Sequence, residues 1–148
     1  MPQPSFLINF LKLKSRIRLH EGFSNKIYLD QLGHKTIGYG HLIKKTDKFI
    51  INKKYSKNFL NHFFEKDFER AKKALENVHE IKKLSNKTHG VLIEMVFQLG
   101  IVNFIKFKRF NHFIKKNQLY MASLEMLDSK WHKQTPERVE KLIKILLS

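Results

Sequence analysis

Apolar residues recur every three to four positions along nearly the whole chain, and one stretch, HEGFSNKIYLDQLGHKTIGYGHLI from His20 to Ile43, abandons that spacing. Inside it, Lys26–Asp30 and Lys35–Tyr39 are short runs of β-formers around a turn containing Gly33, which predicts a β-hairpin. Before it, Ser5 is a suitable N-cap for a helix carrying Phe6, Ile8, Phe10, Leu13 and Ile17, and Gly22 is a good residue to end that helix. After a basic connector, Lys44–Lys54, Ser56 opens a helix through Phe59, Leu60, Phe63, Phe64, Phe68 and Ala71 to about Val78. Thr88–Gly100 is apolar nearly all round, as for a helix buried at a domain centre. Phe104–Lys115 and Gln118–Asp128 read as short amphipathic helices, and Thr135-Pro136 opens a last one bearing Arg138, Val139, Leu142, Ile143 and Leu146. The expected class is therefore α+β, mainly helical, with one small sheet near the N-terminus. A chain of 148 residues fits one domain with its own core.

Charge and composition narrow the partners without choosing one. The excess of 29 Lys+Arg over 13 Asp+Glu gives +16 and favours an anionic partner: nucleic acid, anionic lipid or a charged wall polymer. A biased coding composition would also enrich Lys, Asn, Ile and Phe, so charge is weak evidence among these. The lysine doublets at 44–45, 53–54, 72–73, 82–83 and 115–116 are dispersed rather than one stripe, and most phenylalanines sit at core periodicity, so nucleic acid is not expected. Cysteine is absent, which excludes disulfides and thiolate chemistry, and the eight histidines lack metal-ligand spacing. No signal peptide is expected, because Asn9 and Lys12 break the apolar run Phe6–Leu13. Val91–Ile105 carries Glu94, Gln98 and Gly100 and is too short to span a bilayer. These features suit a soluble chain made in the cytoplasm.

Two acids stand out. Glu21 falls at the C-terminal end of the first predicted helix, where the helix dipole opposes a negative charge. Such a place is either a minor cost at an exposed position or a means of holding a proton near neutrality. Asp30 lies where the first strand meets its turn, a position that Asp also favours for turn-making alone. Thr36 begins the return strand, so Thr36, Gly38 and Gly40 share one face, bare of bulk beside the threonine hydroxyl, where a ligand can approach the backbone. Paired carboxylates bordering a bare cleft are what glycoside hydrolysis needs.

The segments His20-Glu-Gly-Phe, Lys26-Ile-Tyr-Leu-Asp30, Thr36-Ile-Gly-Tyr-Gly-His-Leu42, Met95-Val-Phe-Gln-Leu-Gly100 and Ser129-Lys-Trp-His-Lys-Gln-Thr-Pro136 closely resemble the bacteriophage-type lysozymes. These are the endolysin muramidases typified by the enzyme of T-even phages. The likeness runs from about Leu19 to Ile143 with its motifs in order. It implies a lysozyme-like two-lobe fold across residues 1–148: a hairpin-bearing lobe at about 20–55, a connecting helix at about 56–80, and a helical lobe from about 81–148 plus 1–19.

The resemblance also implies roles. Glu21 matches the general acid, and Asp30 and Thr36 match the pair that positions and deprotonates a water in an inverting hydrolysis, a geometry with carboxyls roughly 6.5–9.5 Å apart. Leu42, Phe97, Gln98, Phe110, Glu125 and Gln134 fall on saccharide-cleft positions; Phe110 and Glu125 depart from the serine and asparagine of the best-known relative. For Phe97, core packing is nearly as good an account, and Gln98 and Gln134 could equally satisfy backbone groups. Arg138 matches an arginine that reaches back to the catalytic glutamate, and His41 one that pairs with an acid at Asp67 for structure. No cofactor or metal is implied. The expected activity is hydrolysis of the β-1,4 bond between N-acetylmuramic acid and N-acetylglucosamine, by a monomer acting on the wall after passage through a separate membrane pore. Anionic envelope polymers would attract it. The rival is a catalytically weak, lysozyme-like cationic protein that binds membranes or nucleic acid.

Overall fold

The computed structural model describes residues 9–148, so the expected N-cap at Ser5 and the apolar positions Phe6 and Ile8 lie outside the described residues. The elements run α1 (Phe10–Glu21), β1 (Ser24–Leu29), β2 (Lys35–Gly38), β3 (His41–Leu42) and α2 (Lys57–Glu76). They continue with a 3-10 turn (Ile81–Lys83), α3 (Asn86–Leu99), α4 (Ile101–Lys106), α5 (Lys108–Lys115), α6 (Leu119–Leu127), α7 (Lys130–Gln134) and α8 (Pro136–Leu147). The fold is α+β and mainly helical, with a small antiparallel sheet in the order β1-β2-β3. By contacts the chain divides into two compact units: residues 11–70, and residues 71–148 with the described residues up to Phe10.

In the unit of residues 11–70, Leu13 and Ile17 of α1, Ile37 of β2, and Leu60, Phe64 and Phe68 of α2 form the buried core. Arg18 joins α1 to α2: its Nε donates to Asn61 Oδ1 at 3.0 Å and its Nη2 to Glu65 Oε1 at 3.1 Å. Its guanidinium also lies 4.3 Å from the centre of the Phe64 ring, a cation–π contact. Ser56 caps α2 as expected, accepting from Phe59 N at 3.1 Å.

The third strand corrects the sequence expectation. Positions 36, 38 and 40 read as one face of the return strand, but Gly38 and Gly40 take φ of +66° and +74°, a region closed to most side chains, and the chain reverses at Tyr39-Gly40. Thr36 then pairs with Leu42 and Ile37 with His41. Positions 36, 38 and 40 therefore do not share a strand face.

The unit of residues 71–148 is built around α3, whose residues Thr88 to Val96 are all buried. α3 packs on α4 and α8, and α6 packs on α5 and α8. Ser85 caps α3 and Ser129 caps α7 through their hydroxyls, and Pro136 begins α8. The helix expected over Phe104–Lys115 is broken at Phe107, whose ψ of 62° leaves the helical region. Asn111 fastens that break by donating to the carbonyls of Phe104 at 2.9 Å and Phe107 at 3.0 Å. A side chain of α5 thus satisfies the carbonyls that the end of α4 leaves over.

Candidate functional site

The candidate site is built on residues 11–70. α1 stops because Gly22 turns left-handed at φ +73°, its N–H closing the last helical bond to Arg18 O at 3.0 Å. Glu21 is thereby the final helical residue, and its half-buried carboxylate lies directly over Gly40, so closely that a Cβ at position 40 would overlap Glu21 Oε1. The bare α-carbon expected to admit a ligand is what admits the glutamate.

Asp30 closes the β1–β2 turn. Its Oδ1 accepts from Leu32 N at 2.9 Å and His34 N at 2.8 Å, while Gly33 N donates to Asp30 O and Asp30 N to His34 O. The other carboxylate oxygen, Oδ2, lies 3.6 Å from His34 Nδ1. Across the ladder Tyr28 pairs with Thr36, whose residue is only 2 % exposed and whose hydroxyl donates to His34 O at 2.9 Å. Since its proton is committed to that carbonyl, the Thr36 oxygen meets an incoming water as an acceptor.

Tyr28 ties the two acids together. Burial holds its phenol above the ordinary tyrosine range, and the negative charges of Glu21 and then Asp30 push it further in the same direction. The charges of both carboxylates therefore reach the Tyr28 phenol. Tyr28 was not singled out from the sequence, although its place two residues before Asp30 on a strand was a readable signal.

His41, also expected, sits buried between two carboxylates. Its Nδ1 is 2.7 Å from Asp67 Oδ2 and its Nε2 is 2.8 Å from Asp47 Oδ2. Only the imidazolium can donate from both nitrogens at once. Burial lowers the His41 pKa, but the hydrogen bonds and charges of Asp67 and Asp47 outweigh burial and leave it raised. For Asp47, burial raises the pKa, while Lys44 N–H and His41 outweigh it and leave it lowered. The raised histidine contributes stability that is complete below its unfolded value of 6.5 and disappears as pH climbs through the folded value. The lowered aspartate contributes stability that is present above its unfolded value of 3.8 and disappears as pH falls through the folded value. The clamp is thus strongest between those limits. Asp47→Asn is expected to cost about 1.5–3 kcal/mol near pH 6 and clearly less near pH 9, as read from urea unfolding at both. A cost independent of pH would refute the doubly bonded imidazolium.

The remaining sequence candidates divide by exposure. Leu42, opposite Thr36, is 51 % exposed, Gln134 is exposed and Phe97 is partly buried. Glu125 receives Arg109 Nε across α5 and α6. Gln98 commits its amide to the protein: Oε1 accepts from Trp131 Nε1 at 2.9 Å and Nε2 donates to Thr135 Oγ1 at 3.3 Å. Phe110 is 0 % exposed and packs edge-on against Phe104 and Phe107, which leaves it no surface to offer a sugar. Arg138 is buried and donates from Nε to Glu94 Oε2 at 2.9 Å. Glu94 was seen in the sequence only as an interruption of an apolar run; a carboxylate there needs a buried cation, and that was its signal. Among the described residues no group of three or more His, Asp or Glu could hold a metal, and no helix is long and apolar enough to cross a membrane.

Gly40→Ala tests the seat of Glu21. The left-handed backbone should cost about 1–2 kcal/mol, yet the collision is with the flexible end of Glu21, so the carboxylate moves rather than the fold. Any activity that depends on Glu21 should then fall at least tenfold while the thermal transition shifts by only a few degrees. Unchanged activity in Gly40→Ala would detach Glu21 from the site.

The family described as phage lysozyme matches residues 18–144 of the chain. The chain is 31 % identical over 157 residues to the probable T4-type lysozyme 1 of Dictyostelium discoideum, an alignment covering 90 % of this chain and 92 % of that protein. A second protein of the same organism, probable T4-type lysozyme 2, is 31 % identical over 156 residues with the same coverage of each. The pre-baseplate central spike protein Gp5 of Enterobacteria phage T4 is 28 % identical over 160 residues, which span 93 % of this chain but 28 % of that one.

Proposed function

We propose, from the premise that the chain belongs to the phage lysozyme family and is at that level a lysozyme-like peptidoglycan hydrolase, that it cuts the β-1,4 bond between N-acetylmuramic acid and N-acetylglucosamine with inversion. The observation that carries this is Glu21 seated over the bare Gly40, with its charge and that of Asp30 both reaching the Tyr28 phenol. In the proposed step Glu21 delivers its proton to the leaving glycosidic oxygen. A water donates one hydrogen to Thr36 and the other to Asp30 Oδ2, which leaves its lone pair facing the anomeric carbon. Asp30 Oδ1 is occupied by two backbone N–H groups, so Oδ2 is the oxygen suited to take the proton. Solvent then returns a proton to Glu21 and removes one from Asp30.

The exposed Leu42 and Gln134, with Phe97 and Glu125, are proposed to contact saccharide, and Arg138 to support the site from its bond to Glu94. Gln98 and Phe110 serve packing around Trp131 and Phe104, and His41 with Asp67 serves structure. The substrate is wall peptidoglycan, reached through a separate membrane pore, and the outcome is lysis of the host by a monomer. A merely cationic binder has no use for a left-handed glycine that accommodates a glutamate, and this favours the enzyme. Purified sacculi incubated with the protein should release reducing ends, the first product by NMR being the α-anomer of N-acetylmuramic acid. The β-anomer first would sink inversion, and no new reducing ends would sink hydrolysis.

A further inference from the structure

From just after β3 to the first residue of α2 the chain reads KKTDKFIINKKYSK, Lys44 to Lys57, with six lysines and a single acid. All six lysines are exposed, and the acid is spent, since Asp47 is held by His41 Nε2 at 2.8 Å and by Lys44 N at 2.8 Å. The tip of the loop is a tight turn, Ile50-Ile-Asn-Lys53, closed by Lys53 N to Ile50 O at 3.2 Å with Asn52 left-handed at φ 69°. Ile50 and Ile51 are 60 % and 62 % exposed at a place where polar turn residues are the rule.

The turn is held firmly. Ile50 N donates to Tyr55 Oη at 2.9 Å, and Tyr55 N donates to Asn25 O at 2.9 Å. Beneath it the Tyr55 ring stacks on Phe59, and Phe49 meets both Tyr55 and Phe63. Aromatic packing thus presents two adjacent isoleucines to the solvent, in a segment that also exposes Lys48, Lys53 and Lys54. Leu29 and Leu32, also exposed, flank an acid instead, Asp30.

We propose that the 44–57 loop is a docking device for an anionic lipid bilayer, with Ile50 and Ile51 entering the headgroup boundary and the lysines pairing with lipid phosphates. Two chemistries meet here that one partner must satisfy. A charged polysaccharide offers anions but no apolar layer, and a zwitterionic membrane offers the layer without excess charge; only an anionic bilayer offers both. The inference stands apart from hydrolysis, since none of its residues belongs to the proposed chemistry.

Vesicle co-sedimentation of the full chain tests it. Wild type should pellet with phosphatidylglycerol-containing vesicles and stay in solution with pure phosphatidylcholine. Lys53→Gln/Lys54→Gln should lower partitioning by roughly 25-fold, about fivefold per lysine. Lys115→Gln/Lys116→Gln, which removes the same charge elsewhere, should change it by less than about fivefold. Ile50→Ser/Ile51→Ser should lower it roughly tenfold or more. Trp placed by Ile51→Trp should shift its emission to the blue on anionic vesicles alone, over the steady signal of the buried Trp131. The proposal fails if the isoleucine pair is dispensable, or if the distant lysine pair matters as much as Lys53 and Lys54. It fails too if the chain ignores vesicles and binds only sacculi or anionic polysaccharide.

Discussion

Glu21→Gln is expected to fold as the wild type does and to lose wall hydrolysis by about 10²–10⁴-fold, the usual contribution of a positioned general acid. The substitution keeps shape and hydrogen-bonding reach but removes the transferable proton. Its effect on stability runs the other way. Glu21 ends α1, where the helix dipole disfavours a negative charge by about 0.3–1 kcal/mol, so the amide should be as stable as the acid or slightly more so. Lost activity at unchanged or raised stability is what a group kept for chemistry produces. Clearing of permeabilised Gram-negative cells, with reducing ends counted in parallel, reads the first half, and urea unfolding reads the second. Equal clearing by both proteins, without reducing ends, would mean that the +16 chain damages cells by charge. The pH profile of the Gly40→Ala protein provides an independent check, since it disturbs the same carboxylate without removing it.

The second large effect is on stability, in the unit of residues 71–148. Glu94 is 0 % exposed and its carboxylate accepts from Arg138 Nε. Arg138→Met should therefore cost about 3–5 kcal/mol, because a buried charge is left without its partner. That is a large share of the roughly 5–15 kcal/mol that stabilises a typical domain. Adding Glu94→Met should recover most of the loss, because a well-packed apolar pair replaces a buried ion pair at little cost. The double-mutant cycle then isolates a strongly favourable coupling. If Arg138→Met costs under about 1 kcal/mol by urea unfolding, Glu94 is stabilised by something other than that guanidinium.

Both effects turn on residues whose types were plain in the sequence and whose environments were not. Glu21 was found because its misfit is local: an acid beside a helix-ending glycine conflicts with the dipole of its own helix. The Asp30 turn, the Ser56 cap and the Pro136 start were legible for the same reason, being matters of a few adjacent residues. The motifs from His20 to Pro136 carried the family as well, and with it the architecture. Glu94 passed as a break in an apolar run because its partner stands 44 residues on, a separation no period reports. Asp47 lies in the basic connector, and only the folded loop brings it onto His41.

What the sequence determined by itself is the repertoire: helices over most of the chain, a small sheet near its start, an acid at the end of the first helix, and membership of the phage lysozyme family. The tertiary structure decided who neighbours whom. It turned Gly40 into the seat of Glu21, set His41 between two aspartates, closed Phe110 inside the core and left Ile50 and Ile51 exposed. The division has a physical cause. Helical and strand periods arise from bonds between residues close in the chain, whereas the charge state of a carboxylate and the exposure of a ring depend on desolvation by distant segments, which exists only after packing.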